Sequence, residues 1–127
     1  MKTRYLCLIY LNEQEMDAMP ATEMNDLNGR HLDFNDALRK SGHFIVAEAL
    51  QPASQTACIR VRKGKVTVTD GPFAETKELV AGFYLIEADD LREAIDIAAR
   101  IPSAGFGTVE VRPARQLVVA GRELRWG

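Results

Sequence analysis

The residue with the clearest chemical potential in this 127-residue chain is a histidine, His31, which interrupts a stripe of apolar side chains. The members of the stripe recur at steps of three and four, which predicts one face of a helix: Met24, Leu27, His31, Phe34 and Leu38. An imidazole on such a face has two interpretations. It is either a core or interface histidine satisfied by a hydrogen bond, or an acid–base group that lines a pocket.

A second group of polar residues forms a loop after a predicted strand, and its sequence is Asp70-Gly71-Pro72-Phe73-Ala74-Glu75-Thr76-Lys77. The glycine supplies backbone freedom, and the proline fixes φ, so the segment is predicted to begin with a tight turn. Asp70 either accepts hydrogen bonds from backbone N–H groups of the turn, or lines a pocket mouth together with Glu75 and Lys77. We expect the Phe73 ring to be buried and to anchor the loop.

Other kinds of site are not indicated by the sequence. The two cysteines, Cys7 and Cys58, have neither Cys-x-x-Cys spacing nor a neighbouring histidine, so we expect no metal site and two reduced thiols. The chain has no phosphate-binding glycine loop and no nucleophile elbow, and we therefore expect no cofactor. Arg112 is a candidate for binding an anion, although a salt bridge with an acidic side chain is an equal alternative.

Hydrophobic periodicity predicts the elements that must position these residues. The predicted strands are 3–11, 44–50, 57–63, 65–70, 81–88, 108–111 and a short one at 116–120, and the predicted helices are 20–41 and 91–101. This order predicts an α+β domain with the split β-α-β arrangement of ferredoxin-like protomers. Such a domain leaves one face of its sheet bare, so we expect two copies to close over it as a homodimer.

Length and charge restrict the class of protein. A chain of 127 residues predicts one domain, 1–127, and its net charge of −2 argues against nucleic-acid binding. No stretch approaches the roughly 18 consecutive apolar residues of a membrane span. The apolar run at 5–11 is followed by acidic residues without a cleavage site, so we interpret it as a strand rather than a signal peptide and expect a cytoplasmic protein.

Longer stretches of the chain resemble the YCII-related family, and within it the branch named for its Asp-Gly-Pro-Phe motif. Residues 68–78 carry the resemblance with the sequence VTDGPFAETKE. Shorter matches follow in the same order: LIY at 8–10, AEAL at 47–50, GFY at 82–84 and VEVRP at 109–113. The resemblance covers about residues 1–113 and leaves a C-terminal tail, 114–127.

The resemblance implies a dimeric α+β barrel in a mostly bacterial, cytoplasmic family whose reactions are largely undefined. Enzyme-like members have a histidine where His31 stands, and they pair it with an aspartate just before a proline that follows the second helix. Ile101 occupies that position here. An acidic partner for His31 must therefore come from elsewhere, and Asp70 is the candidate.

Two functions stay open on these grounds. The first is cofactor-free acid–base catalysis on a small organic molecule, in a pocket near His31 and the 70–77 loop, with ligand contacts from Phe73, Glu75, Lys77 and Arg112. The second is a non-catalytic small-molecule sensor or interaction module, which the resemblance associates with extracytoplasmic-function sigma factors. The missing aspartate favours the second function, and a histidine within an apolar stripe favours the first.

Overall fold

The computed structural model describes residues 2–124, so Met1 and the last three residues of the predicted tail lie outside the described part. In chain order the elements are β1 (Thr3–Leu11), α1 (Glu13–Asp17), α2 (Ala21–Ser41), β2 (Phe44–Ala49), β3 (Ala57–Arg62), β4 (Lys65–Asp70), β5 (Leu79–Ala88), α3 (Leu91–Ala98), β6 (Thr108–Pro113), β7 (Leu117–Val119) and β8 (Arg122–Leu124). Short 3-10 turns occupy Ala53–Gln55 and Pro102–Gly105. The fold is therefore α+β, which confirms the predicted class.

Four strands form the main sheet in the order β2-β5-β1-β6, and each neighbouring pair is antiparallel. Side chains alternate along the central strands, and the core is built from the face that carries Cys7, Ile9 and Ile86. Gly82 lies where β5 meets β2, and a Cβ at this position would stand 2.8 Å from the Glu48 carbonyl oxygen. The close approach of the two backbones therefore requires a glycine there.

The helices α2 and α3 pack against this core. Leu27 and Leu38 of α2 are buried while the rest of its predicted stripe is half-buried, and α2 ends at Gly42 with φ of 80°. An aspartate followed three residues later by a glutamate predicts a helix cap at Asp90. In the structure Asp90 caps α3 by accepting a hydrogen bond from the Glu93 N–H at 2.9 Å. Helix α1 is missing from the predicted elements because five residues are too few to show a period. None of the described helices is long and apolar enough to cross a membrane.

Strands β3 and β4 pair as a separate two-stranded sheet. The sequence predicts that one face of this hairpin is solvated. In the structure of one chain both faces are exposed to solvent. The side chains of the apolar face are each more than half exposed: Ile59, Val61, Val66 and Val68. Strands β7 and β8 form a second small hairpin, where the sequence predicts only one short strand.

Candidate functional site

His31 lies in the middle of α2, is half-buried, and has a hydrogen bond at each ring nitrogen. Its Nδ1 is 2.8 Å from the Tyr84 hydroxyl oxygen, and its Nε2 is 2.6 Å from Ser103 Oγ. The Tyr84 hydroxyl donates to Asn35 Oδ1 at 2.6 Å. These four side chains, Asn35, Tyr84, His31 and Ser103, form one continuous polar chain.

The direction of the hydrogen bonds in the polar chain follows from Tyr84. A phenol hydroxyl has one proton, which Tyr84 gives to Asn35, so its oxygen accepts the proton of His31 Nδ1. A neutral imidazole then has its lone pair on Nε2, which accepts the Ser103 hydroxyl proton. Nε2 is therefore the basic atom of the site.

Three parts of the fold bring the polar chain together. Asn35 follows His31 by four residues, so both project from the same face of α2. Tyr84 belongs to β5, is buried, and packs edge-on against Phe34 with 5.7 Å between ring centroids. Ser103 lies in the 3-10 turn after α3, which begins with Pro102, a residue that needs no N–H partner at such a position.

Burial controls the protonation of the site. Desolvation lowers the pKa of His31, and the nearby positive charge of Arg30 lowers it further. Desolvation also raises the pKa of Tyr84 to about 12. A neutral imidazole therefore faces an un-ionised phenol at neutral pH, and Nε2 keeps its lone pair.

A cavity of about 620 Å³, here called the His31 cavity, opens beside the polar chain, and all four members of the chain line it. Much of its remaining wall is apolar and includes Leu11, Met16, Met24, Leu27, Leu32 and Leu50. Pockets for small molecules typically enclose about 300–1,000 Å³ with mostly apolar walls and a few polar groups. The His31 cavity has the size and lining of such a pocket.

A buried apolar residue occupies the position at which the resemblance implies an aspartate. Ile101 is 2% exposed and belongs to the core cluster. Ser103, two positions later, is 4% exposed and bonds to His31. The ring nitrogens of His31 thus bond to hydroxyl groups rather than to a carboxylate.

Asp70 is not brought to His31 within one chain. It is exposed at the end of β4, outside the lining of the His31 cavity. The turn after it is held by the Gly71 N–H, which donates to the Thr56 carbonyl at 2.7 Å, and by the Cys58 thiol, 3.3 Å from the Gly71 carbonyl. Among the hydrogen bonds of residues 2–124, none ends on the Asp70 carboxylate, so the backbone hydrogen bonds expected of it are not present in one chain.

The expectation that Phe73 is buried is wrong for the single chain. Its side chain is 79% exposed, and the Arg60 guanidinium carbon lies 5.4 Å from the ring centroid. The physical reason is that the loop follows the open β3–β4 hairpin, so the ring has little of the chain to pack against.

Phe73 does line a second cavity, of about 640 Å³, here called the loop cavity. Glu75 and Lys77 are exposed and do not line either cavity, whereas Thr76 between them lines the loop cavity. Arg112 is exposed on β6 opposite Leu6, outside the lining of both cavities. The two cavities share a wall made of Leu50, Gln51 and Pro52.

The other candidate ligands for a metal or cofactor are dispersed. Within residues 2–124, no group of three or more His, Cys, Asp or Glu is placed to hold a metal ion. Cys7 is completely buried, and burial raises its pKa to about 11. Cys58 is half-buried and free.

Sequence analysis missed three members of the site. Asn35 had a usable signal, because it follows His31 by one helical turn on the predicted stripe. Tyr84 and Ser103 had none, because they meet His31 across 53 and 72 positions of the sequence. Only the packing of β5 and the 3-10 turn against α2 reveals them.

Comparisons with known proteins identify a family model and a relative that this chain matches. The family model described as the YCII-related domain matches residues 3–118, a range that includes the whole polar chain. An uncharacterized protein of Rhizobium meliloti (strain 1021) is 36% identical to this chain over 115 residues. The match covers 86% of this chain and 90% of that relative.

Proposed function

We propose, from the premise that this chain belongs to the YCII-related family, that it catalyses acid–base chemistry on a small organic molecule bound in the His31 cavity. The reaction is proposed to need no cofactor. One observation carries the proposal: a histidine whose Nδ1 and Nε2 are hydrogen-bonded to Tyr84 and Ser103 lines a cavity of about 620 Å³.

In this proposal Nε2 of His31 is the base and Ser103 relays the proton. As the substrate gives a proton to Ser103 Oγ, the Ser103 hydroxyl proton passes to Nε2, so the serine ends neutral. The ring becomes an imidazolium that still donates Nδ1–H to Tyr84. Because burial lowers the pKa of His31, the imidazolium returns the proton readily, to a second atom of the substrate or to a leaving group.

Tyr84 and Asn35 are positioning residues in this mechanism. The acceptor oxygen of Tyr84 selects the Nδ1–H tautomer of His31, and Asn35 orients the Tyr84 hydroxyl. A base whose tautomer and orientation are already set loses less freedom when it reacts. The polar chain therefore supplies a base that is ready for use.

In this proposal the 70–77 loop contacts the ligand through the loop cavity. A ligand that extends past the shared wall of Leu50, Gln51 and Pro52 would contact Phe73. The catalytic role of Asp70 and the ligand contacts of Glu75, Lys77 and Arg112 stay predictions, since none of these residues lines the His31 cavity in one chain.

A homodimer is also part of the proposal. The sheet face away from the core carries half-buried apolar side chains at Leu6, Leu8, Phe83 and Leu85. A contiguous apolar face is stabilised when a second copy covers it, and the strand order supports the ferredoxin-like protomer of a dimeric α+β barrel. Two free cysteines support a reducing compartment, the cytoplasm.

A second candidate function is a small-molecule sensor or interaction module. Its support is that both ring nitrogens of His31 already have partners, which is also what a purely structural histidine needs. The resemblance of residues 68–78 to the Asp-Gly-Pro-Phe branch associates this alternative with extracytoplasmic-function sigma factors.

Proton exchange in D₂O separates the two functions. We would follow the carbon-bound protons of a panel of small ketones and esters by NMR, with the wild type and His31→Phe. If His31 is the base, exchange catalysed by the wild type should fall by about 10²-fold or more in His31→Phe. Ser103→Ala should also slow exchange, and His43→Gln, which changes a histidine outside the cavity lining, is the control.

Equal exchange rates for the wild type and His31→Phe would contradict the catalytic function. If panel members bind to the wild type without any exchange, the sensor function is favoured. Urea unfolding of each variant shows whether a lost rate reflects a lost fold.

A further inference from the structure

The charged side chains in the lining of the His31 cavity are all acidic. Glu13 and Asp17 of α1 belong to the lining, whereas neither Lys nor Arg occurs among the described residues that line it. His31 adds no positive charge at neutral pH, because desolvation lowers its pKa. Arg30 acts electrostatically on His31 but does not line the cavity. An anion entering the cavity would therefore meet carboxylates first, and a cation would be attracted.

Glu13 has a defined position in this wall. It is the first residue of α1, and its Oε2 accepts the N–H of Ala53 at 2.8 Å. This bond ties α1 to the 3-10 turn Ala53–Gln55 and holds the carboxylate in place. Asp17 ends the same helix, so α1 brings two acidic side chains to the cavity.

The rest of the wall suits an apolar body. Both α1 and α2 contribute a flexible methionine, and leucines from α2 and from the segment after β2 complete the surface: Met16, Met24, Leu27, Leu32 and Leu50. Methionine adapts its side chain to irregular apolar ligands. The cavity thus combines an apolar surface with carboxylates and with the hydroxyl and imidazole of the polar chain.

We infer that the His31 cavity binds an organic cation, a protonated amine on an apolar body, in preference to a carboxylate or a phosphate ester. The cavity itself, with its volume and polar chain, is the site, and the acidic side chains decide the charge of its ligand. This inference rests on the proposed function and names the class of its substrate. The ammonium group would lie near Glu13, and the apolar body would lie on the methionines and leucines.

Three probes of similar size test the inference: 2-phenylethylamine, 2-phenylethanol and 3-phenylpropionate. Isothermal titration at neutral pH should give a Kd for the ammonium at least about tenfold lower than for the carboxylate. Glu13→Gln should raise the Kd of the ammonium probe about fivefold or more and leave the Kd of the alcohol unchanged. The glutamine keeps a carbonyl oxygen for the Ala53 N–H, so the fold is retained.

Glu15→Gln is the matched control, because Glu15 is an exposed residue of the same helix outside the cavity lining. The inference is overturned if the carboxylate binds as tightly as the ammonium, or if Glu13→Gln and Glu15→Gln have the same effect. If the alcohol binds without any preference for the ammonium, the ligand class is wrong and the proposed function stands. If none of the probes binds to the wild type, this inference is overturned, and the proposed function is decided by the proton-exchange experiment with the wild type and His31→Phe.

Discussion

At the scale of single residues, the environment of His31 couples the stability of the fold to pH. Burial lowers the pKa of the folded-state ring below the ordinary value of 6.5, so the unfolded chain takes up this proton more readily than the folded chain. The stability that arises from this difference is present above the unfolded pKa. It is lost as the pH falls through that value, until the ring is protonated in both states.

We therefore expect the free energy of unfolding of the wild type to decrease between about pH 7 and pH 5. His31→Phe should remove the part of this slope that belongs to His31, because phenylalanine does not titrate. His43→Gln should retain the part of the slope that belongs to His31. Urea unfolding at several pH values measures the slope, and the same slope in the wild type and in His31→Phe would contradict the prediction.

At the scale of secondary structure elements, we expect a glycine-to-alanine substitution to have opposite effects on stability at two positions. Gly82→Ala would place a Cβ 2.8 Å from the Glu48 carbonyl oxygen and should push β2 away from β5, at a cost of about 1–3 kcal/mol. Gly29 lies inside α2, and its added Cβ would meet nothing within 4 Å. Gly29→Ala should therefore stabilise the protein by about 0.5–1 kcal/mol, since alanine favours the helix.

Thermal and urea unfolding of the two alanine variants check this pair of predictions. A destabilised Gly29→Ala, or a Gly82→Ala as stable as the wild type, would show that the packing of α2 or of the β2–β5 pair differs from this structure.

At the scale of the whole molecule, the bare face of the main sheet predicts self-association. Light scattering at micromolar concentration should give about twice the 14.1 kDa mass of the chain. Leu8→Glu places a charge among the apolar side chains of that face and should produce a folded monomer. Val118→Glu, on the exposed β7, is the control and should stay dimeric. A wild type that is monomeric at this concentration would refute the dimer.

The sequence by itself determined most of the elements and the family, because the signals for both are local. The stripe of α2 and its end at Gly42, and the cap of α3 at Asp90, each depend on residues within a few positions of one another. The contiguous motif at 68–78 and four shorter matches were enough for the resemblance. His31 was found as a candidate because a polar residue breaks a local period.

Only the tertiary structure decided what these residues contact. Tyr84 and Ser103 reach His31 from distant positions because β5 and the 3-10 turn pack against α2, and no local pattern encodes that packing. Phe73 shows the converse: its type predicts burial, but the single chain leaves its ring largely uncovered. Residue type and spacing determine helices, strands and turns, whereas burial, hydrogen-bond partners and protonation depend on which surfaces the fold brings together.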